Sequence, residues 1–426
     1  MRVLVVGGGG REHALTWQLH QDDPATTIFA APGNPGTQAL AKNLPIAATD
    51  LDGLVDAAVA NRVDLVIVGP EAPLAAGLVD RLQARGRPAF GPTAAAARIE
   101  SSKAFAKVVM TEAGVPTAAS ATFSSVAPAL DCIARHAEPL VVKASGLAAG
   151  KGAVVCATRG EAAETARAFL DGKLGTAGQE IVVEDFLVGE ELSVLALTDG
   201  AQIAILPPAQ DHKRLGEGDT GPNTGGMGAY TPVSLATALL LERVRRQVFE
   251  PTLAALEARD APYSGVLYAG LMVASDGTPW VLEFNCRFGD PETQVVLPAL
   301  AGGLSGHLHA IARNEWRAPT PVLAAKRAAV TTVLAARGYP DWPEQGAAIT
   351  IPKLGRDILL FHAGTARDAA GTLRVAGGRV LNVTAVAASV GQAAAASRAA
   401  CDQITFDGKV FRPDIGWREV ARAGAA

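Results

Sequence analysis

The first hundred residues alternate short apolar runs with amphipathic segments, a pattern that predicts strands and helices in turn. Strands are predicted at residues 1–7, 26–34, 64–71 and 87–93, and an amphipathic helix at residues 11–21. This alternation implies a parallel sheet with ligand loops at the carboxyl ends of its strands. Three of those ends carry the glycine- or proline-rich loops GGGGRE, APGNPGT and GPEAPL. We therefore expect an N-terminal α/β domain with a binding site at one edge of its sheet.

A second region begins near residue 103, where the apolar pattern changes. Strands are predicted at residues 139–144, 153–157, 181–187, 265–274 and 278–288. Helices are predicted at residues 102–114, 234–259 and 303–314. Residues 207–231 form a long polar segment with little periodicity, and a loop of that length is usually functional or a lid. The stretch APTPV near residue 320 indicates a linker.

The last hundred residues have the pattern of a small domain rich in short strands. These strands are predicted at residues 328–336, 346–352, 357–364 and 379–387. One alanine-rich helix is predicted with them, and no internal repeat is found.

Composition narrows the class of protein. The 426 residues include 49% apolar residues, which is typical of a globular chain of several domains. The 38 basic and 42 acidic residues give a net charge of −4, without the basic concentration expected of a nucleic-acid surface. The four cysteines form no C-x-x-C pair, which argues against a zinc site and fits a reducing compartment. The apolar run VLVV is too short for a signal peptide, and no apolar stretch is long enough to span a bilayer. We expect a cytoplasmic protein that binds small molecules, and neither nucleic acid nor membrane.

The sequence LEFNCRFGDPET at residues 282–293 places polar side chains on a strand that is otherwise apolar. Side chains alternate along a strand, so two faces are predicted. The apolar face is expected to hold Leu282, Phe284, Cys286 and Phe288. The polar face is expected to hold Glu283, Asn285 and Arg287. Carboxylate and amide oxygens two residues apart suit a hard cation such as Mg²⁺, and the guanidinium suits a phosphate. The alternative is a buried ion pair between Glu283 and Arg287.

Two glycine-rich loops resemble known phosphate-binding loops without matching them. The loop GGGGRE fails the dinucleotide fingerprint, because Glu12 or His13 stands where its third glycine belongs. Its helix N-terminus still favours an anion, and a tight turn is the alternative. The glycine-rich loop KASGLAAGKG, residues 143–152, joins two strands and lacks the hydroxyl residue of a P-loop. It could fold over a triphosphate through backbone amides and Lys151, or be a plain hairpin. The stretch IVVEDFLVGEE would suit an adenine base, with Glu191 on a ribose hydroxyl.

An ordered set of motifs along essentially the whole chain resembles the phosphoribosylamine–glycine ligase family, the glycinamide ribonucleotide synthetases of the ATP-grasp superfamily. The motifs that carry this resemblance are GGREHAL, APGNPGT, VGPEAPL, FGPTAAAARIESSKAF, KASGLAAGKG, QDHKR, DTGPNTGGMGAY, YAGLM, EFNCRFGDPETQ, FHAGT and DIGWR. The resemblance implies an α/β and α+β multidomain fold with three regions. These are an N-terminal parallel α/β substrate-binding domain at 1–102, a two-lobed ATP-grasp region at 103–320 with its small lobe at about 120–190, and a small β-rich C-terminal domain at 326–426.

The resemblance also implies a reaction, in which ATP drives the joining of glycine to 5-phosphoribosylamine in de novo purine synthesis, through glycyl phosphate. It implies a monomer that uses Mg²⁺ or Mn²⁺, bound by Glu283 and Asn285. The implied ATP contacts are Lys103, Lys143, Gly150, Lys151, Gly152, Glu184, Phe186, Leu187 and Glu191. The implied contacts of the other substrates are Gly10, Arg11, Glu12, Asn34, Gly36, Glu71, Arg214 and Asp290. The implied catalytic residues are Asp211, Lys213 and Arg287.

The chain departs from the family pattern at two loop positions, Gly8 in place of Asn and Ser145 in place of Asp. It also has no acidic residue in GVLYAGLMV, the strand where ATP-grasp enzymes commonly carry a second metal-binding acid. Other readings stay open: another ATP-grasp ligase or a carboxylase subunit, a nicotinamide-dependent dehydrogenase, or a catalytically silent binding protein.

Overall fold

The structure is a computed structural model that describes residues 1–148, 150–320 and 322–425. Ala149 of the glycine-rich loop and Pro321 of the predicted linker lie outside the described residues, as does Ala426.

Five parallel strands form the N-terminal sheet, in the spatial order β3-β2-β1-β4-β5. The strands are β1 (Arg2–Gly7), β2 (Thr27–Pro32), β3 (Lys42–Asn43), β4 (Leu65–Val68) and β5 (Ala89–Phe90). The helices of this region are α1 (Gly10–Asp22), α2 (Leu51–Ala60), α3 (Glu71–Ala75), α4 (Leu78–Ala84) and α5 (Ala94–Ser101). The middle strand β1 is apolar throughout its centre because both of its faces are covered, and its side chains from Val3 to Val6 are fully buried.

The next segment contains a small antiparallel sheet in the order β6-β9-β7-β8. Its strands are β6 (Ser120–Phe123), β7 (Leu140–Ala144), β8 (Ala153–Cys156) and β9 (Ile181–Asp185). Its helices are α6 (Lys103–Glu112), α7 (Val126–Arg135) and α8 (Arg159–Ala168). The sheet and helices α7 and α8 share a separate apolar core. This small lobe can therefore carry the glycine-rich loop, between β7 and β8, as a unit of its own.

A larger lobe follows, with eight strands and four helices. The strands are β10 (Glu190–Thr198), β11 (Ile203–Ile205), β12 (Gln210–Asp211), β13 (Arg214–Gly216), β14 (Thr220–Asn223), β15 (Gly228–Thr231), β16 (Gly265–Val273) and β17 (Pro279–Asn285). The helices are α9 (Ala238–Val244), α10 (Glu250–Glu257), α11 (Thr293–Ala299) and α12 (Ser305–Ala312). Four of the strands form an antiparallel sheet in the order β11-β10-β16-β17. A π-helical segment, Arg245–Phe249, divides the single helix that was predicted at residues 234–259.

The C-terminal region contains six strands and two helices. The strands are β18 (Ala328–Ala336), β19 (Ile358–His362), β20 (Thr365–Arg367), β21 (Leu373–Val375), β22 (Arg379–Ala387) and β23 (Lys409–Val410). The helices are the predicted alanine-rich α13 (Val390–Gln403) and α14 (Trp417–Ala425), which was not predicted. The strand predicted at residues 346–352 is wrong, because that segment forms only isolated bridges at Ala348 and Thr350.

The polar segment 207–231 is not a featureless loop, so that prediction is wrong. Strands β13 and β14 form a hairpin, and β12 and β15 join the C-terminal strands in the sheet order β12-β15-β18-β22-β19. The hairpin is anchored by Arg412, whose guanidinium lies 2.9 Å from Asp219. The C-terminal domain is therefore built onto the segment that carries Asp211 and Lys213.

The predicted fold class is confirmed, with a parallel N-terminal sheet, two antiparallel lobes and a β-rich C-terminal region. Within the described ranges, no helix has the length and apolar character needed to cross a membrane.

Candidate active site

A cleft of about 540 Å³ lies where the N-terminal domain, both lobes and the C-terminal domain meet. Most of the predicted site residues line it. They are Arg11, Glu71, Lys103, Lys143, Gly150, Gly152, Glu184, Phe186, Leu187, Glu191, Asp211, Lys213, Glu283, Asn285, Arg287 and Asp290. The fold thus brings together residues that lie far apart in the sequence.

Strand β17 presents its polar residues to the cleft, but its alternation is broken by a bulge. Gly270 of β16 pairs with Glu283 and Leu271 pairs with Val281, so Leu282 is an extra residue between them. Leu282 therefore lines the cleft beside Glu283, whereas Phe284 is almost fully buried and packs in the apolar core where that core meets the cleft. The prediction that Leu282 lies on the apolar face is wrong.

Arg287 leaves the end of β17 and is held by acidic side chains of the N-terminal domain. Its Nη2 lies 3.0 Å from Glu100 Oε1 and donates to Asn285 Oδ1 at 2.9 Å. Its Nε lies 3.4 Å from Glu71 Oε2. Arg287 is thus paired with Glu71 and Glu100, in place of the alternative pair with Glu283. These contacts fix the guanidinium and the amide of Asn285 together.

Glu100 also fixes the turn that follows β17. Its Oε2 accepts hydrogen bonds from the backbone N–H of Cys286 at 2.7 Å and from the Cys286 thiol at 3.1 Å. Burial and the charge of Glu100 raise the pKa of Cys286 well above its ordinary value. The thiol therefore stays protonated and serves as a structural donor. Phe288, two residues beyond Cys286, packs in a second core cluster with Phe90.

Glu283 faces three lysines across the cleft. Burial alone would raise the pKa of Glu283, but the charges of Lys213, Lys103 and Lys143 lower it overall. Within the described part of the chain, its carboxylate has no hydrogen-bond partner. Glu283 is therefore an ionised carboxylate whose oxygens are available to a ligand.

Two lysines share one buried carboxylate on the small-lobe side of the cleft. Glu184, on β9, pairs with Lys143 through one oxygen and lies 2.6 Å from Lys107 Nζ through the other. Lys143 also donates to the backbone carbonyl of Leu282 at 2.9 Å, and Lys107 donates to Thr117 Oγ1 at 2.8 Å. Glu184 is thus occupied by lysines, so its carboxylate orients them.

The opposite end of the cleft holds a buried acidic cluster. Glu292 accepts hydrogen bonds from Tyr268 at 2.6 Å and from Ser193 at 3.0 Å. Burial and the charge of Glu292 raise the pKa of Asp211 well above its ordinary value. Lys213 lies 2.9 Å from Glu191, and although burial alone would lower its pKa, Glu191 and Glu283 raise it. Asp211 is therefore held closer to its protonated form than an exposed carboxyl, beside a lysine whose pKa is raised.

An apolar wall lies between the small lobe and β16. It consists of Val141, Val155, Val182, Met272 and Leu282. The chain from β9 to β10 passes its edge, with Phe186 partly exposed. A flat aromatic base fits such a wall, with backbone groups at the edge for its polar atoms.

Several predicted loop residues do not line the cleft. Gly10 lies against the C-terminal domain, where an added Cβ would meet Asn382 Nδ2 at 2.2 Å. An added Cβ on Gly36 would meet His13 at 2.2 Å. Glu12 caps its own helix, since its carboxylate accepts from the Gly9 N–H at 2.7 Å. In this structure the surroundings of these three residues are therefore protein groups.

Lys151 and Arg214 also do not line the cleft. Lys151 Nζ lies 3.9 Å from Asp341 of the C-terminal domain, and its side chain is half exposed. Arg214 donates to the carbonyl of Gly221 at 2.8 Å within the β13–β14 hairpin. Neither side chain contacts the cleft in this structure.

Asn34 is buried at the joint between the N-terminal and C-terminal domains. Its Nδ2 donates to Gly8 O at 2.9 Å and to His362 O at 2.8 Å. Its Oδ1 accepts from the N–H groups of Gly36 at 2.8 Å and Thr37 at 3.0 Å. The amide is fully used by these bonds, and Asn34 does not line the cleft in this structure.

We therefore expect Asn34→Ala to destabilise the protein by on the order of 2 kcal/mol, because it orphans several buried backbone groups. Differential scanning calorimetry should show a lower unfolding midpoint than for Gln38→Ala, an exposed change in the same loop. An Asn34→Ala protein that is as stable as the control would contradict this structural role of Asn34.

Family models match nearly the whole chain. They describe the phosphoribosylglycinamide synthetase N domain at residues 1–100, the ATP-grasp (A) domain at 101–293 and the C domain at 329–418. A phosphoribosylamine–glycine ligase from Nostoc sp. is 48% identical over 98% of this chain and 99% of its own length. The chain belongs to the phosphoribosylamine–glycine ligase family. Another ligase of this name, from Mesorhizobium japonicum, is 45% identical over 100% of both chains.

Solved structures agree with this membership. The crystal structure of phosphoribosylamine–glycine ligase from Thermotoga maritima has a TM-score of 0.86 and 33% identity, and the match covers 97% of this chain and 100% of that chain. A biotin carboxylase from Campylobacter jejuni has a TM-score of 0.75 at 15% identity, over 96% of this chain and 92% of its own. The latter shares the fold.

The two departures from the phosphoribosylamine–glycine ligase pattern have local explanations. An added Cβ on Gly8 would meet Gly33 O at 2.6 Å, so two loops approach closely here. The hydroxyl of Ser145 accepts from the Ala104 N–H at 3.1 Å, at the start of α6. Both positions therefore contact the backbone of another segment, and neither residue lines the cleft.

Sequence reasoning missed several residues of the cleft, namely Glu100, Lys107, Tyr268, Glu292 and Arg379. Three of them are charged residues that are almost fully buried: Glu100, Lys107 and Glu292. A charged residue within an apolar pattern was the available signal, since buried charges require partners. Arg379 had no such signal, because it begins a strand of another domain.

Proposed function

We propose that this protein is an ATP-dependent ligase that joins glycine to 5-phosphoribosylamine, giving glycinamide ribonucleotide, ADP and phosphate. The observation that carries the proposal is the convergence of Glu283, Asn285, Arg287, Lys143 and Lys213 in one cleft of a phosphoribosylamine–glycine ligase family member. The product would serve de novo purine synthesis. We propose a monomer that acts in the cytoplasm on small molecules.

The chemistry explains why these groups are needed. A carboxylate is a poor acyl donor because its leaving group would be oxide, whereas an acyl phosphate loses phosphate. The enzyme must therefore neutralise the triphosphate, align the glycine carboxylate with the γ-phosphorus and exclude water. Lys103, Lys143 and Arg287 supply positive charge along one wall of the cleft.

Glu283 and Asn285 are proposed to hold a divalent cation, Mg²⁺ or Mn²⁺. Their fit rests on the ionised carboxylate of Glu283, which has no hydrogen-bond partner among the described residues, and on the amide oxygen of Asn285, which accepts one hydrogen bond from Arg287 and keeps a second lone pair for a ligand. Among the described residues no group of three His, Cys, Asp or Glu side chains could hold a metal by itself. That agrees with Mg²⁺, which commonly takes one or two protein ligands together with substrate phosphates and water. Such a cation would neutralise charge on the phosphates.

The ends of the cleft suit different substrates. The apolar wall and the β9–β10 chain would bind the adenosine, with Glu191 on its ribose and Leu187 at the edge of the base. Arg11, Glu71 and Asp290 lie at the N-terminal side and are proposed to bind phosphoribosylamine. Asp211 and Lys213 are proposed to bind glycine, with Lys213, which lies 2.9 Å from Glu191, on its carboxylate.

The decisive experiment measures ADP release with glycine plus freshly prepared phosphoribosylamine, and with either one omitted. We expect release to require both substrates and to match the formation of glycinamide ribonucleotide. A preparation that releases ADP with bicarbonate, and not with glycine, would instead be a carboxylase. Release that depends on neither substrate would leave the ligase proposal without support.

A further inference from the structure

A short turn at residues 224–226 forms part of the cleft wall beside the predicted catalytic residues. We call it the glycine turn, because it consists of Thr224, Gly225 and Gly226. Thr224 donates to the Lys213 carbonyl through both its N–H and its hydroxyl, each at 2.8 Å. The glycine turn therefore sets the backbone position of Lys213.

The outer side of the glycine turn is held by the C-terminal domain. Arg379 Nη1 donates to Gly225 O at 2.5 Å and to Asp290 O at 2.7 Å. The Gly225 N–H donates to the hydroxyl of Tyr339 at 2.9 Å. Both backbone polar groups of Gly225 are thus bound by one domain, and Arg379 links them to Asp290.

The inner side of the glycine turn has no spare room. An added Cβ on Gly226, whose φ is +109°, would meet Pro291 Cδ at 2.4 Å and Asp211 Oδ1 at 2.9 Å. The glycine-rich loop also reaches this place, since an added Cβ on Gly150 would lie 3.8 Å from Gly225 N. The turn therefore fills the space between the glycine-rich loop, Asp211 and the C-terminal domain.

We propose that Arg379 and Tyr339 are positioning residues through which the C-terminal domain holds the glycine turn against the cleft and keeps water from the acyl phosphate. The inference rests on the proposed ligase function. If the glycine turn were not held in place, water would attack the carbonyl carbon of glycyl phosphate. The bond from that carbon to the phosphate oxygen would then break. Glycine and phosphate would result, so that ATP and water are converted to ADP and phosphate without amide formation.

The test is the ratio of phosphate released to glycinamide ribonucleotide formed. Removing a hydrogen bond to a charged group shifts the equilibrium between the held and the released glycine turn by roughly tenfold or more. We therefore expect Arg379→Met to release about two or more phosphates per product, against one for the unmodified enzyme. Tyr339→Phe, which removes one neutral acceptor, should raise the ratio less, and Arg379→Lys should lie between.

The matched control is Arg374→Met, which removes a C-terminal arginine paired with Asp368 at 2.5 Å, outside the cleft wall. It should keep a ratio of one. A ratio of one in both Arg379→Met and Tyr339→Phe, at any turnover rate, would overturn the inference while leaving the ligase proposal intact. If Arg379→Met does not fold, Tyr339→Phe and Arg379→Lys decide. An unmodified enzyme that makes no product would defeat the ligase proposal itself.

Discussion

Replacing Glu283 by glutamine is expected to lower turnover by about a thousandfold or more at saturating magnesium, while the protein stays folded. Glu283 has an ionised carboxylate that faces Lys213, Lys103 and Lys143 and has no partner within the described residues. Its loss therefore breaks no hydrogen bond of the fold. It removes the one charged protein ligand proposed for the cation that offsets the triphosphate charge.

Asn285→Leu removes the second proposed metal ligand and should lower turnover by a similar factor. The protein should stay folded, because Arg287 retains Glu71 and Glu100 as partners. The control is Glu315→Gln, a surface acid paired with Arg313 and distant from the cleft wall. It should leave turnover unchanged. Binding of Mn²⁺ in the presence of a non-hydrolysable ATP analogue, followed by electron paramagnetic resonance, should weaken in both site variants. Near-normal rates in Glu283→Gln would refute the metal assignment.

The residues of β17 show what a strand pattern can predict. Period two was enough to place Glu283, Asn285 and Arg287 together, because a charge on an apolar strand needs a polar partner. The bulge at Leu282 could not be predicted, since it depends on the register between β17 and β16. Its consequence is an apolar side chain next to the proposed metal ligands.

The loops of the N-terminal domain show where strand-end reasoning fails. The pattern predicted correctly that glycines and Asn34 follow buried strands, a position that is often functional. It could not reveal that His362 and Asn382 of the C-terminal domain occupy that edge. Close packing between distant parts of the chain can demand the same glycines and amides as a bound anion.

The polar segment 207–231 also shows that contacts between distant parts of the chain cannot be predicted from the local sequence. Its strands are only two to four residues long, too short for a period to appear in the sequence. One of them, β15, pairs with β18, which lies about a hundred residues later. Arg379 reaches the cleft because of this pairing. Its position there could therefore not be predicted from the local sequence pattern.

Heavy oxygen in the glycine carboxylate is expected to appear in inorganic phosphate, one labelled atom for each amide formed. In the proposed route a carboxylate oxygen attacks the γ-phosphorus and ADP leaves. The amine then attacks the carbonyl carbon, and the phosphate departs with the bridging oxygen. The amide keeps the other labelled atom. Mass spectrometry of the phosphate and the product measures both.

The proposed route activates the substrate itself and needs no serine, cysteine or histidine nucleophile. Among the described residues that line the cleft there is no serine, cysteine or histidine, and the hydroxyl of Thr224 is bound to the backbone of Lys213. Cys286 is buried, and its thiol donates to Glu100. Cys286→Ser keeps that donor and should transfer the same label. Unlabelled phosphate from an enzyme that makes product would mean that ATP is cleaved by water, and the acyl phosphate route would fall, because no other step moves a carboxylate oxygen to phosphorus.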